Sequence, residues 1–140
     1  MTVAHSSDFA SLSEAEWLRF LIAQRPGPNL HVVCDSVEVE PAVSHLMRCS
    51  AGLLRSCRLP GPLDLPAHQI DAFVVRDAAA MTLAQQIELF DWMTAAGRGV
   101  QVISVTSRPL TSLVEDGRFF EGLFYRLNAV CLMAMPEKGR

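Results

Sequence analysis

An α/β fold with a parallel sheet is predicted by three features of this 140-residue chain. Short, nearly continuous apolar runs recur along it: Leu30-His31-Val32-Val33-Cys34, Ala72-Phe73-Val74-Val75 and Val100 to Val105. Runs of this length fit strands buried on both faces. Segments with apolar residues at helical spacing lie between them, and Pro/Gly clusters mark the boundaries. Strands alternating with helices imply a doubly wound sheet with crossover helices.

The elements follow in order. Residues 1–10 read as a loose tail. Ser11 or Ser13 caps a helix with acidic residues in its first turn, an apolar face of Trp17, Leu18, Leu21 and Ile22, and an end at Arg25-Pro26-Gly27-Pro28. Leu30–Cys34 is the first strand. Pro41 suits the first turn of the next helix, whose buried stripe is Val43, Leu46, Met47, Leu53 and Leu54. Ser56 to Leu59 is a second strand, and Pro60, Gly61, Pro62 and Pro66 mark a loop. Ala72 to Val75 is the third strand. A helix from Thr82 to Ala95 carries Leu83, Ile87, Phe90 and Met93 on one face and stops at Gly97 and Gly99. Val100 to Val105 is the fourth strand. Pro109 to Glu115 and Arg118 to Leu127 read as short helices, and Ala129 to Met135 as the last strand.

Composition limits the possible functions. A chain of this length suits one domain, residues 1–140, with its own core. Half of the residues are hydrophobic and 19% charged, as in folded globular proteins. A net charge of -3 gives no electrostatic case for nucleic acid. No apolar run approaches the roughly 18 residues that span a membrane, and no secretory signal pattern opens the chain, so a cytoplasmic location is expected. Cys34, Cys49, Cys57 and Cys131 form no CxxC pair, and His5, His31, His45 and His68 are scattered. Buried reduced thiols are expected, and no metal site.

The stretch Asp116 to Asn128, DGRFFEGLFYRLN, carries the chain's most specific signal. It resembles the end of the AAA+ ATPase core of bacterial sigma-54-dependent transcriptional activators, where the pattern is close to GRFREDLYYRLN. Gly117, Arg118, Phe119, Glu121, Leu123, Tyr125, Arg126, Leu127 and Asn128 match. The position of the trans-acting arginine finger is Phe120. The resemblance runs from about Pro28 to Pro136. It implies a P-loop NTPase/AAA+-like sheet of five mostly parallel strands with flanking helices and the order 5-1-4-3-2.

The resemblance also locates where catalysis should be. The Walker A loop, similar to GESGTGKE, falls on Cys34-Asp35-Ser36-Val37-Glu38-Val39-Glu40-Pro41. Such a loop needs glycines so that backbone N–H groups can approach phosphate, and a lysine to neutralise its charge. Val37 and Val39 replace the later glycines, and Glu40 replaces the lysine. In the Walker B stretch, Arg76 stands at the Mg²⁺ aspartate position and Asp77 at the glutamate position. Asp77 is otherwise read as a strand-end residue that bonds locally or pairs with Arg76. Thr106 precedes Ser107, which stands at the γ-phosphate sensor position. Arg126 matches the family's second arginine and is expected to pair with an acidic residue. Between the second and third strands no GAFTGA-like hairpin is present, and no helical lid or helix-turn-helix is expected within these residues.

These replacements lead to the expectation of a pseudo-ATPase. It would be a non-catalytic AAA+-like regulatory module in bacterial transcription, with no cofactor, no direct nucleic-acid contact and no membrane association. Its partner would be a protein, such as an AAA+ sigma-54 activator, or a second copy of itself. Phe119, Phe120, Arg126 and the helix bearing Gln86 would form the interaction face. The alternative is a nucleotide- or small-molecule-binding sensor using the remnant cleft of Asp35, Ser36, Glu40, Arg76, Asp77, Thr106 and Ser107.

Overall fold

The computed structural model describes residues 2–4, 28–49, 52–96 and 99–134. The helix expected from Ser11 to Arg25 lies outside these. Six strands form one sheet: β1 (Thr2–Ala4), β2 (Leu30–Cys34), β3 (Leu54–Arg58), β4 (Ala72–Arg76), β5 (Gln101–Thr106) and β6 (Val130–Ala134). Their order is β1-β6-β2-β5-β4-β3, and all pairings are parallel. The last five are the expected strands in the expected order. β1 is an addition. Thr2–Ala4, read from sequence as part of a loose tail, pairs with Val130–Leu132 at the sheet edge. Three residues carry too little periodicity to announce a strand, and the pairing with β6 supplies what local sequence does not.

The helices are α1 (Val39–Cys49), α2 (Leu83–Ala96), α3 (Thr111–Glu115) and α4 (Glu121–Leu127). From β2 the chain crosses to the far edge at β3, with α1 on one face. It then steps back through β4 and β5 to β6, with α2, α3 and α4 on the other. Reversing direction while keeping right-handed crossovers requires the change of face. Two cores result. Val32, Val74, Ile103 and Val105 pack with Val39 and Val43 of α1. Phe73, Val75 and Val102 pack with Leu89, Met93, Leu113, Leu123 and Leu127. Every residue of β5 is buried, which explains its unbroken apolar run.

Three helix readings need correction. Leu53 and Leu54 do not extend the stripe of α1. Leu54 opens β3, and the Leu53 N–H donates to the Asp71 carboxylate at 2.7 Å. α2 is rotated from the expected face: Gln86, Leu89 and Met93 are buried, whereas Leu83 and Ile87 are 52% and 51% exposed. Apolar residues lie all round this helix, so periodicity alone could not choose the inner face. Its start is a capping box, with the Gln85 N–H donating to Thr82 Oγ1 at 3.1 Å and the Thr82 N–H to Gln85 Oε1 at 3.0 Å. The helix expected from Arg118 begins only at Glu121, because Gly117 (φ 73°) closes α3. There the Gly117 and Arg118 N–H groups bond back to the Val114 and Leu113 carbonyls in a Schellman motif.

One polar pair lies inside the sheet. Ser104 Oγ–H donates to the Leu30 carbonyl at 3.4 Å, so His31 Nδ1–H is the donor to Ser104 Oγ at 2.7 Å. His31 Nε2 is a buried lone pair without a protein partner. Burial lowers the His31 pKa from 6.5 to about 4, so the ring stays neutral in the fold. Unfolded chains bind this proton near pH 6.5 and the native state does not until about 4. Stability should therefore fall as pH drops through that window, by up to about 3 kcal/mol for this group. Denaturation midpoints of wild type and His31→Leu between pH 4 and 7 check this: the mutant should have a flatter pH dependence, whatever its absolute stability.

Candidate functional site

Parallel strands bring their carboxyl ends to one edge, and doubly wound sheets bind ligands there. In this chain that edge carries Asp35 and Ser36 after β2, Arg58 at the end of β3, Arg76 and Asp77 at β4, and Thr106 and Ser107 at β5. The first turn of α1 adds Glu40.

The backbone after β2 does not form a phosphate-binding loop. Asp35 is extended (φ -60°, ψ 152°), and its carbonyl accepts the Glu38 N–H at 2.8 Å. Ser36–Glu38 then wind as a 3-10 turn that runs directly into α1, with Val39 already helical (φ -61°, ψ -50°). Among the described residues only Gly61, Asp77 and Gly117 have positive φ. Val37 and Val39 are compatible with this winding, since β-branched residues avoid positive φ. Val37 is left exposed at the apex.

Charges at this edge are paired. Arg58 and Arg76 face each other in register across β3 and β4. Like charges so placed repel. The Glu40 carboxylate lies between them, accepting from Arg58 at 2.8 Å and pairing with Arg76 at 3.2 Å. Glu40 and Arg76, which the resemblance sets at the lysine and aspartate positions, thus pair with each other. Arg58 completes the triad. Sequence reading gives it no role: it falls within the expected strand Ser56 to Leu59, and no motif marks this position. Asp77 is not the partner of Arg76. It takes a left-handed conformation (φ 58°, ψ 53°) that aspartate tolerates, gives its N–H to the Val105 carbonyl at 2.7 Å, and accepts from the Ala80 N–H at 2.8 Å. Asp35 and Ser36 are exposed, and Ser107 is half-buried at the same edge. Thr106 is buried, with Oγ1 accepting the Arg108 N–H at 3.3 Å. Cys57, beside Arg76 on β3, is a buried free thiol; burial, with the nearby Asp64 charge, pushes its pKa up to about 11.

Two concavities lie at the opposite end of the sheet, near the amino ends of the strands. One is a cavity of about 70 Å³ lined by Asn29, Trp92, Met93, Val100, Val102 and Arg126. The other is an open groove along Pro66, His68, Gln69 and Trp92. The smaller has room for a few waters and not for a nucleotide.

The second group of residues lies on the outer side of α2 and α4. Phe119 is a correction to the expected face: it is 3% exposed and belongs to the core with Leu123 and Leu127. Phe120 is 37% exposed. It does not share a helical face with Phe124, because it is the extended N-cap residue of α4 (φ -65°, ψ 119°), whereas Phe124 is buried. Gln86 holds this geometry. Its Oε1 accepts the Phe120 N–H at 2.6 Å, and its Nε2 donates to the Arg118 and Met81 carbonyls at 3.1 and 3.2 Å. The Phe120 ring meets Phe90 edge-on at 5.0 Å and lies over Gly122, where a Cβ would stand 2.9 Å from the ring. Arg126 has no acidic partner among the described residues. Its guanidinium stacks 4.7 Å from the Phe90 centroid and bonds Thr94 Oγ1 at 3.0 Å. Phe120, Leu83 and Ile87 thus add exposed apolar surface beside the partly buried Phe90.

No family model and no curated protein matches the sequence. The fold does match solved structures. NtrX from Brucella abortus in complex with ADP is similar at a TM-score of 0.65 and 17% identity, over 89% of this chain and 36% of NtrX. The ATP complex gives 0.63 and 16%, over 87% and 35%. The P-loop NTPase domain of the sigma-54 transport activator from E. coli gives 0.59 and 15%, over 89% of this chain and 99% of that one. At these identities the likeness shows the fold alone: an α/β fold like that of P-loop NTPase domains, resembling the core of sigma-54-dependent activators. This chain spans about a third of the length of NtrX.

Two outcomes follow from this geometry. Glu40→Lys and Arg76→Asp should each destabilise the fold, and the double variant should recover about 1 kcal/mol of coupling, read from a denaturant double-mutant cycle. Gln86→Leu should cost about 2–3 kcal/mol, because one buried N–H and two carbonyls lose their partner; urea unfolding measures it.

Proposed function

We propose that this domain is a pseudo-ATPase, a non-catalytic AAA+-like module that regulates transcription by binding a protein partner. The observation that carries the reading is the Glu40–Arg76 ion pair: the resemblance sets these two residues where an ATPase would hold phosphate and Mg²⁺ with the opposite charges. A carboxylate at the first position repels a triphosphate, and a guanidinium at the second repels a cation. The collapsed turn at Ser36–Glu38 also removes the backbone N–H cradle. The partner would be an AAA+ sigma-54 activator or another copy of this chain, in the cytoplasm of a bacterium. By resemblance to the family, residue 120 belongs to the face that meets a neighbouring subunit. An exposed aromatic is the kind of residue that anchors interfaces, and it cannot supply a finger's positive charge to a neighbour's nucleotide. A subunit of this kind would cap or poison a ring of active subunits.

A second reading, a small-molecule sensor at the strand-end edge, is favoured by one observation. Arg76 Nε–H is buried there without a protein acceptor.

Millimolar ATP or ADP with Mg²⁺ should leave the melting temperature unchanged; concentration-dependent stabilisation would overturn the pseudo-ATPase reading. A pull-down from bacterial extract should recover an intact AAA+ activator with wild type and lose it with Phe120→Ala. Recovery of no AAA+ protein, together with a monomeric mass in solution, would sink the partner reading.

A further inference from the structure

We infer that Arg58 and Arg76 form a binding site for a small free oxyanion, with Glu40 as its built-in competitor. The argument begins with charge. Two guanidinium groups stand in register on adjacent strands, and one carboxylate lies between them, so the triad carries one net positive charge. Paired like charges on neighbouring strands are unfavourable unless offset, and Glu40 offsets only one. The second argument is hydrogen bonding. Arg76 is the less exposed arginine, with 20% of its side chain accessible against 61% for Arg58. Its Nη1 contacts Glu40, while its Nε–H is buried with no protein acceptor. A buried donor on a charged group is costly when unmet, and an arginine left with its Nε edge unused presents the fork that carboxylates and phosphates bind.

The surroundings set the size and charge of the ligand. Asp35, Glu38 and Asp77 line the same edge, and Asp64 acts electrostatically on Cys57 together with Arg76. A long polyanion would meet these carboxylates, whereas a compact one can reach the two guanidinium groups alone. Val37–Glu38, wound as a 3-10 turn, offers no cradle for a chain of phosphates. The ligand class is therefore a small oxyanion such as inorganic phosphate or a short dicarboxylate. This gives the sensor reading its ligand class and is independent of the Phe120 face.

Glu40 is half exposed and supplies two carboxylate oxygens to the arginines. An incoming anion must displace it from at least one of them. Removing its charge should tighten binding roughly tenfold, about the value of one charge-assisted hydrogen bond.

The test is a thermal-shift and calorimetric titration of the whole chain with inorganic phosphate, against chloride at matched ionic strength. Malonate, ADP without Mg²⁺ and uncharged adenosine serve as further arms. Wild type should show saturable stabilisation by phosphate or malonate. Glu40→Gln should bind roughly tenfold tighter, and Arg58→Gln, at an exposed position that does not threaten folding, should abolish the effect. No shift beyond chloride in both wild type and Glu40→Gln overturns the inference, as does a shift that survives Arg58→Gln. Stabilisation by ADP without any by phosphate overturns it in favour of a nucleotide. Stabilisation by an uncharged ligand alone would overturn the oxyanion site and leave the sensor reading standing.

Discussion

The arrangement depends on one constraint: a parallel sheet must be covered on both faces. Its strands cannot be joined by tight turns, so each connection has to travel back along a face. Right-handed crossovers then decide which face, and the reversal of direction at β3 puts α1 on one side and α2, α3 and α4 on the other. The same rule gathers every strand's carboxyl end at one edge. That edge is where side chains from separate strands and from the start of α1 come together.

At that edge one carboxylate, Glu40, is shared by two guanidinium groups, Arg58 and Arg76. A phosphate-binding turn depends jointly on dihedral freedom and positive charge, and both are absent between Cys34 and Pro41. Helical winding from Ser36 onward keeps the valines at 37 and 39 out of positive φ, which β-branched residues avoid. With guanidinium groups at residues 58 and 76, a carboxylate at residue 40 is favourable. The local choices are therefore mutually consistent.

The sheet was legible in the sequence because buried parallel strands leave apolar runs that few other structures produce. Leu30–Cys34 and Ala72–Arg76 were clear for that reason, and the resemblance supplied their order. β1 was not legible, since Thr2–Ala4 is held by pairing with β6 and not by its own pattern. The inner face of α2 was also hidden. Gln86 reads as a surface residue, yet it is buried because three backbone groups, two of them more than thirty positions away, satisfy its amide. At the site, the replacements at Glu40 and Arg76 could be read as losses. Their pairing could not, nor could Arg58, because the contact joins residues 18 and 36 positions apart. Phe119 and Phe120 differ in a way that neighbouring aromatics in a sequence do not reveal: a hydrogen bond holds the second extended.

That hydrogen bond is made to the backbone of residue 120 and not to its side chain. The mount and the group it displays are therefore separate. Gln86 and the Gly117 turn fix where residue 120 stands and which way it leaves the chain, and Gly122 leaves room beside it for a broad ring. Whatever amino acid occupies the position is presented at the same place. A single codon change there can exchange one surface chemistry for another while the supporting framework stays as it is. Natural selection can thus alter what this domain offers to its surroundings without refolding it.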